Sequence, residues 1–162
     1  MARPNPIRVL MATPLPSKTL QRQLCYRPTV KEVVSTYNIL NRYVFDNALH
    51  RPELQLCTIQ KAWGMCYGLL QVDENTGSHC KIRLMDKWYS TQWMVATLAH
   101  EMCHQYQWDI RGPERQEGGK NWLMSHGPTF YEHKERLLEY GVPLKVSHSR
   151  RRWFKTQDLF LS

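Results

Sequence analysis

"LAHEMCHQYQW", residues 98–108, sets His100 and His104 four apart in an apolar run, with Glu101 beside the first. Residues at that spacing stack on one face of a helix, so the two imidazoles can hold one metal ion between them. Neutral imidazole suits zinc, and a catalytic zinc takes three protein ligands and keeps one position for water. Zinc lowers the pKa of that water to about 7, and Glu101 is placed to take its proton as general base. This is the H-E-x-x-H signature of a zinc hydrolase. Seven His and nine Glu scattered among 162 residues would produce it by chance with a probability of roughly 0.016. Coincidental core or surface histidines are the weaker reading.

The third ligand has to come from elsewhere. His50, His79, His126, His133 and His148 are the histidine candidates, and any downstream Asp or Glu competes with them. His126 stands out. "HGPTF" (126–130) puts it at the opening of a last helix, after a loop long enough to fold back. His133 lies roughly 10 Å further along such a helix and does not readily replace it. For His133 and the other three, a surface or core position is expected. Cys103 sits inside the motif, but its bland reading is a small buried hydrophobe. The other four cysteines (Cys25, Cys57, Cys66, Cys80) read likewise. Their odd total and the lack of a C-x-x-C pair argue against disulfides or a zinc ribbon and for a reducing compartment.

Working outward, Thr29 can cap a helix with Glu32 completing a capping box, and Val33, Val34, Tyr37, Leu40, Val44 and Leu49 carry it to about His50. Three strand-like stretches follow, "ELQLCTIQ", "AWGMCYGLLQV" and "HCKIRLMDKWY", with "DENTGS" (73–78) as the clearest hairpin turn. In the third, Cys80, Ile82 and Leu84 alternate with Lys81 and Arg83, which predicts one wet face. Ser90 or Thr91 can cap the histidine helix, whose Trp93, Met94, Leu98, Met102 and Tyr106 line one side. Residues 109–125 read as a long loop that flanks a cleft. Pro128 suits the first turn of a last helix over about 127–140, stopped by Gly141 and Pro143. The expected fold is α+β: an N-terminal helix, a small three-stranded antiparallel-type sheet, the histidine helix, and a C-terminal helix carrying the third histidine. Residues 1–28 read as an extended, basic, proline-rich arm, 29–142 as the core, and 143–162 as a basic tail.

At 162 residues, 42% of them apolar and 22% charged, one soluble globular domain is expected. No apolar run approaches the length that crosses a bilayer, so no membrane partner is expected. Pro14 and Pro16 break the apolar patch near the start, which argues against a secretory signal. No acidic residue precedes Glu32, which leaves an organellar transit peptide open; four early prolines argue against the helix it needs. The net charge of +8 points to an anionic partner. Arg3, Arg8, Lys18, Arg22 and Arg27 decorate the start. Lys145, Arg150, Arg151, Arg152 and Lys155 decorate the end, where "RRRWFK" mixes cations with aromatics that can grip phosphates and stack on bases. The alternative is a solvated tail, or one docked on the protein's own surface.

"HEMCH" followed by "HGPTF", with "CYG…HCKIRL" upstream, resembles the SprT-like zinc metalloproteases over about residues 30–140. The resemblance implies a minimal zincin-like domain with His100, His104 and His126 as zinc ligands and Glu101 as the catalytic carboxylate. It places Phe130 beneath the metal, packing the final helix. It implies an endopeptidase that acts on proteins bound to or near DNA. Two departures stand out. The gap from His104 to His126 is longer than expected, and no cysteine-rich zinc ribbon follows the core. The basic ends are candidates to substitute for it. Compact forms of this kind resemble those of bacteria and their phages, which implies a cytoplasmic protein or one carried in a phage particle. The competing reading is a zinc-stabilised attachment domain, for instance within such a particle, suggested by the two basic ends. Glu101 counts against it, since a closed structural site needs no general base. A third reading is a zinc hydrolase acting on a non-protein substrate. Tyr106, Tyr131 and the loop arginines are candidates for a second electrophile.

Overall fold

A computed structural model of the chain describes residues 1–15, 23–112 and 126–145. Helix α1 (Pro6–Met11) is followed by α2 (Val30–Val44), strands β1 (Glu53–Cys57), β2 (Gly64–Gly68) and β3 (Cys80–Met85), then α3 (Thr91–Tyr106) and α4 (Lys134–Glu139). A π-helical turn, Gln107–Arg111, extends α3.

The expected alternation in β3 is present: Cys80, Ile82 and Leu84 are buried while Lys81 and Arg83 are partly exposed. The sheet, however, is mixed rather than antiparallel. Its order is β1-β3-β2, with β3 antiparallel to β2, Cys66 opposite Ile82, and parallel to β1, Leu54 opposite Ile82. Consecutive strands do reverse direction where the connection is short. But β3 inserts between β1 and β2, so it pairs antiparallel with one and parallel with the other.

Thr29 caps α2, its hydroxyl accepting from the Glu32 amide at 3.1 Å. Glu32 also accepts from the Tyr26 hydroxyl at 3.1 Å. The helix ends at Val44 rather than near His50. Asp46 and Asn47 take left-handed backbone with φ of 54° and 59°, and the Asn41 side chain holds both the amide and the carbonyl of Leu49.

The start of the chain departs from the extended arm expected of it. Asn5 accepts from the Ile7 amide at 2.9 Å and Pro6 opens α1, where the missing N–H has no helical partner to lose. Ile7 and Met11 are buried and α1 packs on α3. Gln92 of α3 reaches back to donate to the Met11 and Thr13 carbonyls.

Ser90 caps α3, accepting from the Trp93 amide at 3.2 Å. The apolar side expected of this helix turns out to be its whole circumference, for every residue from Gln92 to Cys103 is buried. Helices α1 and α2 and strands β2 and β3 all pack against it, which is the position of a central helix. The last helix is shorter than expected. His126 precedes it instead of lying on it, and residues 128–133 form turns. Gly127 and Pro128 begin a turn in which the Phe130 amide donates to the Gly127 carbonyl at 3.0 Å, the place proline favours in such turns.

Candidate metal centre

On α3, His100 and His104 stand one turn apart with ring centroids 5.0 Å from each other. His126 comes in from the segment before α4, 5.1 Å from His100 and 5.0 Å from His104 by centroid. One ligand atom from each of the three lies within 4.8 Å of the others, a grouping that could hold a metal ion. Phe130 is fully buried and its ring sits 4.7–4.8 Å from all three imidazoles. It forms a floor under the cluster.

Hydrogen bonds set the tautomers. His100 Nδ1 lies 2.7 Å from the Lys145 carbonyl, which can only accept, so Nδ1 donates and Nε2 carries the lone pair. His104 Nδ1 lies 2.8 Å from Gln107 Oε1, with the same consequence. His126 Nε2 then faces His100 Nε2 at 3.3 Å. Two nitrogens bound to one tetrahedral zinc at about 2.0–2.1 Å stand about 3.3 Å apart. Burial also depresses the pKa of both His104 and His126, which favours neutral imidazole, the ligand form. The donor set therefore fits a borderline-soft divalent cation.

Glu101 is one step around the helix and points toward β2. It is 6% exposed, and burial pushes its carboxyl up to about 8, against the pull of the Cys66 backbone amide that hydrogen-bonds it. A cation held by the three histidines would act in the opposite direction and favour the carboxylate. The helix can approach β2 this closely because position 64 lacks a side chain. A Cβ there would lie 2.9 Å from Thr97 Cγ2 and 3.1 Å from Glu101 Cγ. Further along β2, the Trp108 indole lies over Gly68, where a Cβ would come within 2.3 Å of it.

The other candidates fall elsewhere. His50 and His79 are exposed, and His133 is half-buried against the rings of Phe45 and Tyr106. His148 lies outside the described residues. Cys103 is buried and outside the three-histidine group, and burial raises its thiol pKa, away from the thiolate that binds metals. Tyr106 interacts with Glu132 and Arg111, which also pair with each other. Most of the loop expected at 109–125 lies outside the described residues. Sequence reasoning missed Gln107, the Lys145 carbonyl and Gly64. Only Gln107 carried a signal, its place one turn beyond His104.

A model of the SprT-like family matches residues 33–148, a span that includes His100, Glu101, His104 and His126. No curated protein matches the chain.

Proposed function

Because the chain belongs to the SprT-like family, a metallopeptidase-type family, we propose that it is a zinc-dependent endopeptidase cutting proteins bound to or near DNA. The observation that carries the reading is the approach of His100 and His126 Nε2 to 3.3 Å, with His100 Nδ1 committed as a donor to the Lys145 carbonyl. Two imidazole nitrogens at this distance can also share one proton; what favours a cation is the third, for His104 brings its own ligand atom within 4.8 Å of both.

His100, His104 and His126 would hold the zinc. When bound, it supplies Lewis-acid chemistry, acidifying a water and polarising the scissile carbonyl. Glu101 accepts the water's proton as general base and can deliver it to the departing amine. Glu101 is buried with its Cγ beside the bare Cα of Gly64 and a hydrogen bond from the Cys66 backbone, so its reach is set by the packing of α3 on β2. The Phe130 floor and the buried flanks of α3 keep solvent away from the histidines on the core side. Arg3 and Arg8, both exposed, together with Arg150, Arg151, Arg152 and Lys155, outside the described residues, are the cations that would contact DNA phosphates. Among the described residues no helix is long and apolar enough to cross a membrane. The proposed place of action is the cytoplasm, or a phage particle if the chain is viral.

The test compares Glu101→Gln with the parent in zinc content and in casein cleavage, with and without single-stranded DNA. The parent is expected to bind zinc and cleave, faster with DNA present. The variant is expected to keep the metal and lose about 10²–10⁴-fold in rate. A variant that cleaves at the parent's rate overturns the mechanism. A zinc-loaded parent that cleaves nothing leaves the attachment role as the better reading.

A further inference from the structure

We propose that Gln107 is a positioning residue for the metal centre. Its one amide fixes the tautomer of His104 and ties the helix bearing two histidines to the segment bearing the third. The inference rests on the zinc reading above and adds a residue to it.

Gln107 is completely buried at the first position of the π-helical turn after α3. Its Oε1 meets His104 Nδ1 at 2.8 Å, and its Nε2 donates to Thr129 Oγ1 at 2.9 Å. Thr129 lies three residues after His126 and immediately before Phe130, the floor of the cluster. A single side chain thus spans both ligand-bearing segments. The chemistry is specific to an amide, which offers an acceptor and a donor from one planar group. The acceptor keeps the proton on His104 Nδ1, so that ring's Nε2 is left to bind and the ring cannot swivel. The donor holds the His126–Phe130 turn against the end of α3. Partners of this kind orient metal-binding histidines and raise their basicity. A methionine here would fill the same volume and offer neither bond. A glutamate would still accept from His104, more strongly, and could accept from the Thr129 hydroxyl.

The experiment uses the full chain as parent, Gln107→Met and Gln107→Glu. Zinc affinity is measured by competition with a chromogenic chelator, and the visible absorption of the cobalt-loaded proteins reports ligand geometry. Thermal melts of the metal-free proteins report folding. Gln107→Met is expected to bind zinc about 10–100-fold more weakly and to shift the cobalt bands. Gln107→Glu is expected to match or exceed the parent's affinity. A Gln107→Met protein that binds zinc within about threefold of the parent overturns the proposal, as does a Gln107→Glu protein as weak as Gln107→Met. If the methionine variant does not fold, the glutamate variant decides: retained affinity supports the role, and a tenfold loss overturns it. A parent that binds no zinc overturns the zinc reading itself, an outcome distinct from failure of either variant.

Discussion

The absence of a side chain at position 64 controls where Glu101 can stand. Three side chains crowd that site, with Leu84 Cδ2 at 3.0 Å joining Thr97 and Glu101. Gly64→Ala should therefore part α3 from β2, at a cost of about 1–3 kcal/mol in chemical denaturation. It should lower kcat while leaving zinc affinity near the parent's, because the crowded atoms belong to Thr97, Leu84 and Glu101 and none to the histidines. His133 makes a different residue-scale prediction. Desolvation lowers its pKa, and its Nδ1 is buried without a hydrogen-bond partner among the described residues. Below about pH 6.5 the unfolded chain takes up a proton that the folded chain resists. The stability this neutral ring allows is thus present above that pH and is lost as pH falls toward the lowered value. In the metal-free protein the raised Glu101 carboxyl acts in the opposite sense over this range, so the His133 contribution is read by difference. Relative to the parent at the same pH, His133→Phe should melt higher at pH 5.5 than it does at pH 7.5. At this scale the sequence is most legible. The three histidines that come together can be named from spacing and family likeness because metal-binding chemistry admits few residue types. Gly64 cannot be, since its role exists only once a particular helix lies against a particular strand.

Among the elements, the turn after α3 does more than end a helix. Asp109, which it carries, accepts from the Ser78 hydroxyl at 2.7 Å, the His79 amide at 2.8 Å and the Gln105 amide at 2.9 Å. Gln105 in turn accepts from the Tyr37 hydroxyl at 2.9 Å. One carboxylate thus joins the approach to β3, the end of the histidine helix and, through Gln105, α2. Asp109→Ala strands several donors at once. It should cost about 2–3 kcal/mol, seen as a melting temperature roughly 5–10 °C lower. Local signals are good guides where one residue type has one job. Thr29 and Ser90 cap helices as their types suggest, and β3 keeps the period of its apolar residues. The signals fail where a residue has two jobs. Proline near the start reads as a breaker of structure, yet Pro6 opens a helix. Gly127-Pro128 reads as a helix start, yet it makes a turn.

For the whole molecule, the histidine cluster ties the central helix to a segment that follows it by some twenty residues of sequence. A zinc ion that binds only the folded form should stabilise the protein by about 2.7 kcal/mol at a hundredfold excess over its Kd. Chelation should reverse this, with the melting temperature recovering on adding zinc back. The α+β class is readable from the order of periodicities, but the pairing of the sheet is not. A strand's pattern reveals which face is wet; it does not say which neighbour slips between two others. The contact between His100 and the Lys145 carbonyl has a practical corollary. Since the acceptor is main chain, replacing the lysine by any residue leaves it in place, and a mutational scan would score position 145 as tolerant. Shortening the polypeptide ahead of that residue takes the oxygen away, so a truncated chain is expected to bind zinc more weakly where substitutions at 145 do not.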